Sequence, residues 1–101
     1  MQPKANYAVI FTSIRTEEDN GYSKMALEME DLVKNQPGYL GMESAREEIG
    51  ITISYWESLE AISEWKKNTD HMFAQEKGIR ELYSKYHVRI CRVEREYTFS
   101  K

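Results

Sequence analysis

The stretch "NYAVIFTSI", residues 6–14, constrains this chain more than any other. Its β-branched and aromatic residues read as a strand. Its apolar residues fall on both sides of that strand, with Tyr7, Val9 and Phe11 alternating with Ala8, Ile10 and Ile14. A strand that is apolar on both faces needs cover on both. One layer of helices supplies only one of the two.

The segments that follow supply that layer and the rest of a sheet. After the turn "TEEDNG", the residues Tyr22, Met25, Ala26, Met29, Leu32 and Val33 recur at steps of three and four, which predicts a helix over 22–35 with one apolar stripe. "NQPG" ends it, because Pro37 cannot continue a helix and Gly38 permits a turn. "YLGMESAR" and "GITISYW" then read as a hairpin. In its second strand Ile51, Ile53 and Tyr55 share one face, and Thr52, Ser54 and Trp56 the other. Ser58 is a candidate N-cap for a short helix, "LEAISEWKKN". Asn68 or Thr69 is a candidate cap for a second piece, "DHMFAQEKGIRELYSKY". The last strand is expected over 87–99.

The order is β-α-β-β-α-β, with the second helix in two pieces. This is the ferredoxin-like, split βαβ arrangement, an α+β fold. Both crossovers place their helices on one face of a four-stranded antiparallel sheet. The whole of residues 1–101 is expected to form one domain, since domains of about 100–150 residues are the commonest. The other face of the sheet is then bare and apolar, which marks an interaction surface. A homodimer packed sheet to sheet is the expectation.

Composition excludes several function classes. With 14 basic and 17 acidic residues the net charge is −3, which repels nucleic acid and anionic membranes. No segment approaches the roughly 20 apolar residues of a membrane span. The start of the chain does not read as a signal peptide. Cys91 is the only cysteine, so no intrachain disulfide forms, which suits a cytoplasmic setting. Cys91 lies among strand residues and reads as structural. Dinucleotide, phosphate-loop and metalloprotease motifs are missing, and His71 and His87 match no metal-ligand spacing. No metal is expected.

The remaining candidates for chemistry concentrate between residues 54 and 86. Trp65 follows Ala61 by four and Ile62 by three, which puts it on the apolar side of its helix. His71 is expected near a helix N-terminus, where a positive imidazolium is disfavoured. Arg80, Tyr83 and Tyr86 are expected further along that helix, with Arg80 four residues after Glu76 and the tyrosines packed on Ile79 and Leu82.

Taken together, "YAVIF", "PGYLGMES", "ISYWESLEAISEWKKNTDHMFAQEKG" and "YSKYHVRICRVEREY" resemble the antibiotic biosynthesis monooxygenase superfamily. The most specific part is the block from Trp56 to Trp65, followed by His71, Gln75 and Gly78. The resemblance implies ferredoxin-like subunits joined as a dimeric α+β barrel, with a pocket between helices and sheet. It implies a monooxygenase without a bound cofactor, acting on a small aromatic substrate such as a phenol or quinol. The roles it implies are an apolar wall from Trp65, Phe73 and Tyr83 and proton removal or anion binding by His71 or Arg80. Asn6 would donate a hydrogen bond, and Trp56 and Gln75 would make further substrate contacts. A protein that holds a small hydrophobic molecule without turning it over needs the same walls. The superfamily also contains haem-degrading enzymes with a haem-ligating histidine ten residues after the tryptophan matched by Trp65. Gln75 stands at that position here, so haem is disfavoured.

Overall fold

The computed structural model describes residues 5–17, 21–75 and 82–101, with residues 73–75 described by their backbone alone. The elements are β1 (Tyr7–Arg15), α1 (Tyr22–Lys34), β2 (Tyr39–Arg46), β3 (Gly50–Trp56), α2 (Leu59–Gln75) and β4 (Tyr83–Arg92). The strands form one antiparallel sheet in the order β2-β3-β1-β4. This is the ferredoxin-like fold expected from the alternation of strand and helix patterns.

Strand register sorts the side chains onto two faces, because directly paired residues share a face. Tyr7, Val9, Phe11 and Ser13 stand beside Trp56, Ser54, Thr52 and Gly50 of β3, and beside Arg92, Ile90, Val88 and Tyr86 of β4. This is the face that α1 and α2 cover. The opposite, open face carries Ala8, Ile10, Thr12 and Ile14 with Ile51, Ile53 and Tyr55.

Local chemistry sets the helix ends. Gly21 caps α1 in the left-handed region, φ 86°, and Lys34 lies in its last turn, where a cation suits the helix dipole. Gly38, φ 86°, makes the turn into β2, and a Cβ there would meet the Ala61 Cβ at 2.5 Å. The Ser58 hydroxyl accepts a hydrogen bond from the Ala61 amide at 3.1 Å, so the expected N-cap is present.

Two expectations for the second half of the chain are corrected. α2 does not break at Asn68 or Thr69 but runs unbroken to Gln75. Both candidate caps spend their polar groups elsewhere. Asn68 Nδ2 donates to Gln36 Oε1 at 2.8 Å, and Thr69 Oγ1 donates back to the Lys66 carbonyl at 2.9 Å, a bond compatible with a helix interior. Lys66 and Asp70 add an ion pair across the expected break, 2.9 Å long.

Tyr83 and Tyr86 are the second correction. They belong to β4 and not to a helix, and the β4 ladder ends at Arg92. Their spacing of three mimics a helical step. A register shift opposite Ile14 and Arg15 inserts an extra residue into the strand, and a bulge of this kind returns residues three apart to one side. Both rings accordingly meet Phe11, at 5.3 Å for Tyr83 and 5.6 Å for Tyr86.

The core sits over β2 and β3. Trp56, Val33 and Ile62 form its centre, with Tyr7, Val9, Tyr39, Met42, Ala61 and Trp65 packed around them. Trp56 is 0% exposed, and its indole N–H donates to Ser54 Oγ at 2.9 Å, so the buried donor is satisfied.

Candidate functional site

The helices seal only half of the face they cover. Over β3 the rings of Trp56 and Tyr39 meet edge to face at 5.6 Å. On β4 the same face stays open: Tyr86 is 48%, Val88 43% and Ile90 53% exposed. With Phe11 beside them these residues form an apolar and aromatic strip running along β1 and β4. Val9 links this strip to the core, where Trp65 packs. An uncovered apolar strip of this kind marks an interaction surface.

Each end of the strip is polar. At the Tyr7–Arg92 end an open depression of about 470 Å³ is lined by Asn6, Tyr7, Glu57, Ser58, Arg92 and Glu94, among others. At the Tyr86 end stand Tyr83, Tyr22, Arg15 and Arg46. The rings of Tyr22 and Tyr83 meet edge to face at 5.7 Å, and the Arg15 guanidinium lies 3.8 Å from the Tyr22 ring centre. Arg46 lies 5.6 Å from the same ring and donates to the buried Ser13 hydroxyl. Its guanidinium passes over Gly50, where a Cβ would occupy its place. Burial, then the neighbouring Tyr22 hydroxyl and a hydrogen bond to it, pushes the Tyr83 phenol well above its ordinary range, against the opposing pull of Arg46 and Arg15.

The residues singled out from sequence take these places. Trp65 is part-buried against the core, its ring 6.2 Å from that of Trp56. Trp56 is itself sealed in the core, so the expected contact with substrate is corrected: a side chain with no exposed surface offers a ligand none. Asn6 lies at the depression, but its Nδ2 donates to the Glu57 carbonyl at 2.9 Å and ties β1 to the corner between β3 and α2. His71 is exposed towards the C-terminal end of α2, and the helix-N-terminus argument for it falls with the unbroken helix. Tyr83 closes one end of the strip. Arg80 and the side chains of Phe73 and Gln75 lie outside the described residues.

Sequence reasoning did not find Tyr22, Arg15, Arg46 and Ser13 as a cluster. Nothing in their spacing announces it, since β1, α1 and β2 each contribute to it from separate parts of the chain. The exposed half of β4 was legible in part, because "HVRI" alternates apolar and basic residues.

Fold and site together define a ferredoxin-like α+β domain with an open aromatic strip on the helix side of its sheet. The antibiotic biosynthesis monooxygenase family model matches residues 7–77, and the chain belongs to that family. A relative from Bacillus subtilis, the uncharacterized protein YqjZ, is 46% identical over 97 residues, covering 94% of this chain and 85% of its own. Among solved structures, SnoaB, a cofactor-independent oxygenase from Streptomyces nogalater, superposes with a TM-score of 0.72 at 12% identity. The match covers 92% of this chain and 97% of SnoaB. A mutant of MhuD with two manganese protoporphyrin IX molecules bound per active site superposes with a TM-score of 0.69 at 16% identity, covering 92% and 99%. At these identities the two structures establish a shared fold.

Proposed function

We propose that the protein is a cofactor-independent monooxygenase for a small aromatic, phenol- or quinol-like substrate, working in the cytoplasm as a homodimer joined through the open sheet face. The observation that carries the reading is the strip of Tyr86, Val88 and Ile90, left half exposed on the helix side in a chain of this family. A planar ring laid on Phe11, Tyr86, Val88 and Ile90 gains apolar contact of about 25 cal/mol for each Å² removed from water. The deprotonated substrate itself supplies the electrons to oxygen. The protein's tasks are then to hold the ring, stabilise the developing oxyanion and exclude water. Arg46 and the Tyr83 hydroxyl at one end of the strip are suited to the second task. Trp65, His71, Arg80, Phe73, Gln75 and Asn6 keep the roles the family resemblance implies for them.

Haem fits this chain less well. Gln75 replaces the expected histidine, and His87 and Cys91 pair with Thr12 and Ala8 on the sheet face opposite the strip.

Oxygen uptake with a panel of polycyclic phenols and quinols tests the reading, with Ile90→Glu as the control. The expected result is saturable, substrate-dependent oxygen consumption that falls about ten-fold or more when a carboxylate is placed on the strip. Binding of the same phenols without oxygen consumption would instead make the protein a carrier.

A further inference from the structure

The Tyr86 end of the strip is built around one arginine. The registers set Arg46, Gly50, Ser13 and Tyr86 in one row across the four strands, on the helix side of the sheet. Gly50 presents no side chain, so Arg46 crosses over it and its Nη2 donates to Ser13, two strands away. One strand further, about 5 Å at the usual spacing, comes Tyr86, whose ring stacks on Phe11 with planes 6° apart. A cation and the start of the aromatic strip are thus held side by side.

This end is rich in donors and positive charge. Arg46 is part-buried. Among the described residues its partners are the Ser13 hydroxyl and the Tyr22 ring, with no carboxylate paired to it. A guanidinium has five N–H donors, and the bond to Ser13 uses one of them. The hydroxyls of Tyr22 and Tyr83 are hydrogen-bonded to each other, which uses one phenolic proton and leaves the second to donate. Arg15 brings another cation over the same Tyr22 ring, 3.8 Å from its centre.

We infer that this end of the strip binds a carboxylate, and that the substrate is an aromatic acid whose carboxylate stands beside its phenolic hydroxyl. The inference rests on the monooxygenase reading above and narrows its substrate class. A planar guanidinium pairs with a planar carboxylate through two parallel N–H···O bonds. The ring that bears the carboxylate then extends over Tyr86 and Phe11. A hydroxyl on the neighbouring ring carbon falls at the same polar end, where the phenolic donors meet it as it becomes an oxyanion. A ligand without the carboxylate covers Arg46 and gives it no opposite charge, and that difference is the source of selectivity.

Calorimetric titration of the full chain with 1-hydroxy-2-naphthoate and with 1-naphthol tests this, since the two ligands differ only in the carboxylate. The acid is expected to bind about ten-fold or more tightly than the naphthol. Arg46→Gln is expected to bring the two within about three-fold of each other. Tyr22→Phe, which keeps the ring and loses the hydroxyl, is expected to reduce the preference about three-fold, with far-UV circular dichroism confirming that both variants are folded. A parent that binds both ligands equally, or a preference unchanged in both variants, would overturn the carboxylate site and leave the strip standing. A parent that binds neither ligand at millimolar concentration would remove both.

Discussion

Trp56 and Trp65 face each other across the seam between β3 and α2, with ring centres 6.2 Å apart and planes tilted by 32°, yet only Trp56 is wholly sealed. The first pins helix to sheet, and the second packs against the core while staying part-exposed. Trp56→Ala is therefore expected to destabilise the fold by about 3–5 kcal/mol, and Trp65→Ala by distinctly less. Urea denaturation measures the difference. Acrylamide is expected to quench the fluorescence of a Trp56→Phe protein, which keeps only Trp65, more readily than that of Trp65→Phe.

Gly50 keeps a space for Arg46. An alanine there displaces the guanidinium from the Ser13 hydroxyl, which is 2% exposed. The expected cost is about 1–3 kcal/mol for a buried hydroxyl left without its partner. Arg46→Gln, which keeps a donor, is expected to cost less than Gly50→Ala in the same assay. An equal cost would mean that glutamine does not replace the bond to Ser13.

Gly38 is more demanding. Its φ of 86° disfavours a side chain, and its Cβ would press on Ala61 of α2. Gly38→Ala is expected to lower stability more than Gly50→Ala, because helix and turn must both shift. Comparing the two melting temperatures checks the order.

The raised phenol of Tyr83 gives a signed pH dependence. An unfolded tyrosine ionises near pH 10, and the folded one holds its proton longer. Its contribution to stability is complete below about pH 10 and is lost as pH rises towards the folded value. Tyr83→Phe is expected to flatten the decline of stability above about pH 10 and to remove one late-ionising phenol from the ultraviolet titration. A decline identical to the parent's would show that other groups govern it.

Removing the cap tests the start of α2. Ser58→Ala loses the bond to the Ala61 amide and is expected to cost about 1 kcal/mol. Ser58→Asp, which can accept the same bond, is expected to restore most of it in the same denaturation experiment.

Much of this structure was legible from local chemistry. The two-sided apolar pattern of residues 6–14 demanded a layered sheet. The stripe from Tyr22 to Val33, the "NQPG" stop and the Ser58 cap placed α1, the turn and the start of α2. Alternation in "GITISYW" put Trp56 and Ile53 on opposite faces of their strand, as the register confirms. These features depend on neighbours a few residues away, which a sequence displays directly.

Tertiary structure decided what depends on partners far along the chain. Tyr83 and Tyr86 sit three apart in a helix and in a bulged strand alike, and only pairing with β1 chose the strand. Asn68 had the chemistry of a cap, and Gln36 took its amide. The exposed strip on β4 and the meeting of Arg46 with Ser13 and Tyr22 each arise from strand register. Register is fixed by how whole faces bury their apolar residues, so no single segment carries it.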